Sequence, residues 1–153
     1  MQWCAPEEWQ KIQREEHCPA CHELKRGAPP EGFVADLRVS QLVLQPNQYV
    51  RGYCQLMSLV HATELHKLPE QVQQQFLADL SDVSAALERV FQPAKLNINF
   101  LGNIVPHVHG HILPRYLNDH APHRPIDPQA QQVFLDQAAF DKRVRKIREA
   151  LLR

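Results

Sequence analysis

Three histidines spaced by single residues, His107-Val108-His109-Gly110-His111, constrain this chain more than any other run in it. In a β-strand, residues i, i+2 and i+4 point to one face, so the run sets three imidazoles on one surface at roughly 7 Å intervals. With nine histidines in 153 residues, chance gives such a run roughly 0.03 times per chain, so the spacing is moderately specific. Three readings compete. The imidazoles are partly buried and satisfied by backbone carbonyls, although three on one face would add up the cost of burying polar groups. They form a strand-borne metal site. Or one imidazole is a nucleophile and its neighbours orient it or donate protons. Gly110 removes a side chain on the opposite face and permits close backbone approach, which fits a site and also fits a simple bulge.

The run lies within Leu96–Pro114, the longest stretch without Asp, Glu, Lys or Arg. That stretch nearly reaches membrane-spanning length. Its three Asn, three His and two Pro would be costly in lipid, so no transmembrane helix and no membrane partner are expected. Seventeen Lys and Arg balance seventeen Asp and Glu, and no basic run offers a footprint for a nucleic-acid backbone. The 44% hydrophobic content is enough for a single folded core. The N-terminus, MQWCAPEEWQ, lacks the basic flank and apolar run of a signal peptide, so a cytoplasmic location is expected. In that compartment the four cysteines are reduced or metal-bound rather than paired.

Pro6-Glu7-Glu8 suits the first turn of a helix ending near His17. Cys18-Pro19-Ala20-Cys21 reads as a tight knuckle. Phe33-Val34 and Val39–Leu44 read as strands, followed by a Pro46-Asn47 turn and a strand over Gly52–Val60. Val72, Phe76, Leu80, Val83, Leu87 and Val90 recur at spacings of three and four, predicting a long helix that starts at Pro69-Glu70 and stops before Pro93. Lys95–Leu101 and Val108–Leu113 read as strands around a Gly102-Asn103 turn. From about Asp127, Val133, Phe134, Val144, Ile147 and Leu151 sketch a C-terminal helix. This order predicts an α+β fold with a largely antiparallel sheet.

Cys18 and Cys21 have the spacing that lets two thiolates reach one tetrahedral metal. Alone, that pair is a zinc half-site, a redox pair or a coincidence; no thioredoxin-like pattern precedes it. His17, His22, His61, His66 and His107 are available to complete a zinc site. Cys4 and Cys54 read as ordinary thiols.

The histidine run does not stand alone. Gly52-Tyr53 leads into an apolar strand, then Leu59-Val60-His61 and Leu65…Leu68-Pro69. Leu96-Asn97-Ile98-Asn99 and Leu101–Pro106 precede the histidines; Pro114-Arg115-Tyr116 and Asp119…Ala121-Pro122 follow them. In this order and spacing the chain resembles the histidine triad (HIT) family over roughly residues 18–125. The resemblance implies a HIT domain over 18–125, with an N-terminal helical extension at 1–17 and a C-terminal helical segment at 126–153. It also implies a homodimer that binds nucleotides and acts as a nucleotidyl hydrolase or transferase on a dinucleoside polyphosphate or adenylyl compound. In that scheme His109 is the nucleophile, His111 contacts the phosphate or helps the leaving group, and Asn103 donates to phosphoryl oxygens, with Asn97 able to serve likewise. Either Gln45 or Asn47 falls where some members hold the ribose. Galactose-1-phosphate uridylyltransferases and other relatives imply a structural zinc on Cys18, Cys21, His61 and His107. Two rival functions are a nucleotide-binding scaffold with little turnover and a plain zinc-binding domain using the triad as ligands.

Overall fold

Ser40–Leu44 (β2) and Cys54–Ser58 (β3) alternate buried and half-buried residues along their whole length, as strands do when one face of a sheet is covered and the other is open. The computed structural model describes residues 4–153; the first three residues of the expected N-terminal extension lie outside them. With Phe33–Asp36 (β1), Lys95–Asn99 (β4) and His109–Arg115 (β5), β2 and β3 build a five-stranded sheet in the order β1-β2-β3-β5-β4. Every neighbouring pair is antiparallel. The fold is α+β.

Leu42, Leu44, Cys54, Leu56 and Ile112 turn to one face and meet the long helix α3 (Glu70–Phe91) and the C-terminal helix α4 (Gln137–Leu151). Phe76, Val83 and Leu87 are the fully buried stripe of α3, each worth about 1.5–3 kcal/mol of burial. Asp79, outside the apolar spacing, shares that buried stripe. Its carboxylate accepts from the Arg38 and Val39 amides, the Ser40 hydroxyl and the Arg38 guanidinium, which ties α3 to the β1–β2 turn. Gly52, in the turn before β3, has φ +84°, and a Cβ there would lie 2.8 Å from the Phe91 ring; only glycine fits that turn. No helix among the described residues is long and apolar enough to cross a membrane.

Several boundaries differ from the sequence expectation; β4 ends at Asn99 rather than Leu101, and β5 runs from His109 to Arg115 rather than from Val108 to Leu113. The first helix (α1) ends at Ile12, and a separate 3₁₀ turn covers Glu15–His17. Cys18 then caps a further helix, Pro19–Leu24 (α2), so the knuckle is a helix N-terminus. β3 starts at Cys54 rather than Gly52. Helix α4 starts at Gln137, where Asp136 accepts from the Ala139 amide at 2.8 Å. Val133 and Phe134 precede it and are 41% and 63% exposed. Residues 127–133 are instead held outside helical geometry, because the Val133 amide donates to Asn47 and the Gln48 amide donates to the Val133 carbonyl.

Candidate active site and thiol–imidazole cluster

On the sheet face away from α3, antiparallel register sets Gln55 opposite His111 and Met57 opposite His109. His109 and His111, two apart on β5, stack edge to face with ring centroids 4.9 Å apart. Each ring is fixed by what its Nδ1 touches. His109 Nδ1 lies 2.6 Å from the His107 carbonyl; a carbonyl only accepts, so Nδ1 carries the proton and Nε2 carries the lone pair. His111 is the reverse. The Tyr53 hydroxyl lies 2.6 Å from its Nδ1, and the Gln55 amide nitrogen lies 3.5 Å away. The hydroxyl donates to Nδ1 and the long Gln55 contact adds little, leaving the proton on Nε2. Burial, and secondarily the neighbouring His109, hold the His111 pKa down to about 4. Burial also pushes the Tyr53 phenol up to about 12, so it stays a donor at neutral pH. The pair therefore offers one lone-pair nitrogen beside one N–H donor.

Both rings line a cavity of about 430 Å³ with Tyr53, Gln55 and Asn103. Asn103 belongs to the loop after β4 and is exposed in that wall. Gln45 reaches the same face from the end of β2, donating to the Gln55 side-chain oxygen at 3.1 Å. Asn47 does not join it. Its amide is buried and bonded to the Pro128 and Gln131 carbonyls and to the Val133 and Tyr49 amides. Asn97 is also elsewhere: its side-chain oxygen accepts from Arg115. It lines a separate cleft of about 620 Å³ beside β4 that contains neither His109 nor His111.

The third histidine faces away from this pair. His107 is buried, its Nε2 donates to the Ser58 carbonyl at 2.7 Å, and its Nδ1 lies 3.5 and 3.6 Å from the Cys18 and Cys21 sulfurs. His61 repeats the pattern, with Nε2 donating to the Gln13 carbonyl at 2.9 Å and Nδ1 lying 3.3 Å from Cys21. Carbonyls thus take both ring protons, so both lone pairs turn to the two thiols. All four donor atoms lie within 4.8 Å of one another, and two sulfurs with two imidazole nitrogens are a tetrahedral zinc donor set. Burial raises the Cys21 thiol pKa; a dication between the sulfurs would reverse that. The expected ligands Cys18, Cys21, His61 and His107 come together, while His17, His22 and His66 do not join them. Because the triad divides between two sites, its use as a metal-ligand set of three does not match the geometry.

The HIT domain family model matches residues 26–118. This chain belongs to the HIT domain family. A comparison with curated proteins finds no match. Among solved structures, a histidine triad protein from Bradyrhizobium japonicum is 29% identical at a TM-score of 0.71, covering 78% of this chain and 89% of its own. A zinc-bound histidine triad family protein from Mycobacterium smegmatis is 18% identical at 0.65, covering 91% of this chain and 96% of its own. The diadenosine triphosphate hydrolase of Plasmodium falciparum, solved with cyclomarin A, is 16% identical at 0.53, covering 79% and 76%. These last two share the fold.

Cys18 and Cys21 lie before the HIT match and residues 127–133 lie after it. Sequence reasoning missed Tyr53, Gln55 and the segment 127–129 as parts of this HIT site. Tyr53 and Gln55 alternate with the buried Cys54 and Leu56, and that polar alternation was the available signal. Which strand lies opposite them follows only from the register.

Proposed function

We propose that this HIT protein is a nucleotidyl hydrolase or transferase that works through a covalent nucleotidyl-imidazole on His109. The reading rests on one observation: the His107 carbonyl holds the His109 Nδ1–H, which makes Nε2 of a cavity-lining imidazole the nucleophilic nitrogen. In the first step Nε2 attacks the phosphorus of a nucleoside phosphate, a P–N bond forms and the P–O bond to the leaving group breaks. The His111 Nε2–H and the Asn103 amide donate to the phosphoryl and leaving oxygens as charge develops. In the second step water or another acceptor attacks phosphorus and passes its proton to solvent or to the phosphate released in the first step, and the P–N bond breaks with its electron pair returning to Nε2. Hydrolysis releases a nucleoside monophosphate. The fold is shared with a diadenosine triphosphate hydrolase, and dinucleoside polyphosphates and adenylyl compounds are the substrate classes assigned here.

A structural zinc on Cys18, Cys21, His61 and His107 belongs to the same reading. It would tie α2 to the strand carrying His109, with no coordination position left for substrate. A homodimer is proposed through β4, an edge strand that carries exposed Ile98 and runs into exposed Phe100, Leu101 and Ile104. Four free cysteines suit a reducing compartment, and the location assigned is cytoplasmic. The test is a screen of dinucleoside polyphosphates and adenylyl phosphoramidates with product analysis. Wild type should release nucleoside monophosphate, and His109→Ala should bind nucleotide without turnover. Binding without turnover by the wild type would make the protein a nucleotide-binding scaffold.

A further inference from the structure

Residues 127–133 form a strap that starts beside the histidine cavity and lies outside the span matched by the family model. Asn47 fastens it. Its Nδ2 donates to the Pro128 and Gln131 carbonyls at 3.1 and 2.8 Å, and its Oδ1 accepts from the Val133 amide at 3.0 Å. With a further bond from the Tyr49 amide, both ends of a buried side chain are engaged. The strap brings Asp127, Pro128 and Gln129 into the wall of the cavity that holds His109 and His111.

Asp127 is the only carboxylate among the described residues lining that cavity, and no Lys or Arg lines it. Its Oδ1 accepts from the Gln129 amide at 2.9 Å, and the side chain is exposed. Tyr53, whose hydroxyl touches His111, lines the same cavity, so the carboxylate shares it with the phosphate-handling imidazole. A carboxylate repels phosphate oxygens. A nucleotide with its phosphorus at His109 must therefore turn an uncharged, hydrogen-donating part toward Asp127. The ribose hydroxyls are the donors nearest the phosphate, and two hydroxyls match two carboxylate oxygens.

We propose that Asp127 is a specificity-determining residue that accepts the ribose hydroxyls of a bound nucleotide, and that Asn47 is the positioning residue that holds the strap bearing it. The inference rests on the nucleotide-binding reading. It is tested by calorimetric titration with AMP and with 2′,3′-dideoxy-AMP, which needs no turnover. Wild type should bind AMP about tenfold tighter or more, the effect of hydrogen bonds to a charged group. Asp127→Ala should bind both ligands equally, at the dideoxy level, and Asp127→Asn should keep part of the preference. Asn47→Ala should reduce the ratio without weakening dideoxy-AMP. A wild type that binds both ligands equally, or an Asp127→Ala protein that keeps the ratio, overturns the inference and leaves the nucleotide reading standing. A wild type that binds neither overturns both.

Discussion

Replacing Tyr53 by Phe removes one oxygen from the site and keeps the ring. That oxygen lies 2.6 Å from His111 Nδ1, and by donating there it confines the imidazole proton to Nε2. Without it the nearest donor is Gln55 at 3.5 Å, a distance at which little of a hydrogen bond remains. A net bond of this kind is worth about 0.5–1.5 kcal/mol. At 1.36 kcal/mol per factor of ten, kcat should fall about 2- to 13-fold. The His111 pKa, held down to about 4 chiefly by burial, should rise, because protonating Nδ1 no longer displaces a donor. Steady-state kinetics of nucleotide hydrolysis and ¹⁵N spectra of the His111 ring measure the two effects. In a His111→Ala background Tyr53→Phe should cost nothing more. An equal loss in both backgrounds, or an Nδ1–H tautomer in the wild-type spectrum, would refute the reasoning.

Three further outcomes follow from the geometry. Asp79→Ala strips a buried acceptor from the Arg38 and Val39 amides and the buried Ser40 hydroxyl, so urea unfolding should show a loss of about 1–3 kcal/mol; a loss under about 0.5 kcal/mol contradicts the anchor. Elemental analysis should find about one zinc per chain, and chelation or Cys18→Ser should lower Tm while some turnover persists. Absence of metal, with Cys18 and Cys21 alkylated in the folded protein, would remove the zinc assignment. For His111 the folded pKa of about 4 lies below its ordinary 6.5, so between these values the unfolded chain binds more protons. Its contribution is full above pH 6.5 and is lost as pH falls toward 4, about 1–2 kcal/mol after solvent screening. A His111→Ala protein with the same pH slope as wild type would contradict it.

The elements that carry strong periodicity were legible. The spacing from Val72 to Val90 gives α3 over Glu70–Phe91, and the alternating histidines give a strand that begins at His109. Local pattern could not show that His107, just before the strand, turns to the thiols while His109 and His111 face the cavity. That division depends on Ser58 and on α2, both distant in sequence. Val133, the last residue of the strap, and Phe134 after it fit a helical pattern yet lie before the helix, because Asn47, 86 residues away, takes the Val133 amide. Asp136, a good N-cap type, was the local sign of the true helix start. Gln45 and Asn47 were indistinguishable by composition; the register and the strap separate them, since one is bonded to Gln55 and the other is enclosed.

The most direct test of the central claim is the chemical state of His109 during turnover. Rapid quench with a labelled dinucleoside polyphosphate, followed by peptide mapping under alkaline conditions, should recover a nucleotidyl group on the peptide containing His109, and none from His109→Ala. Product forming at full rate with no adduct at any quench time, or an adduct on another residue, would contradict the account.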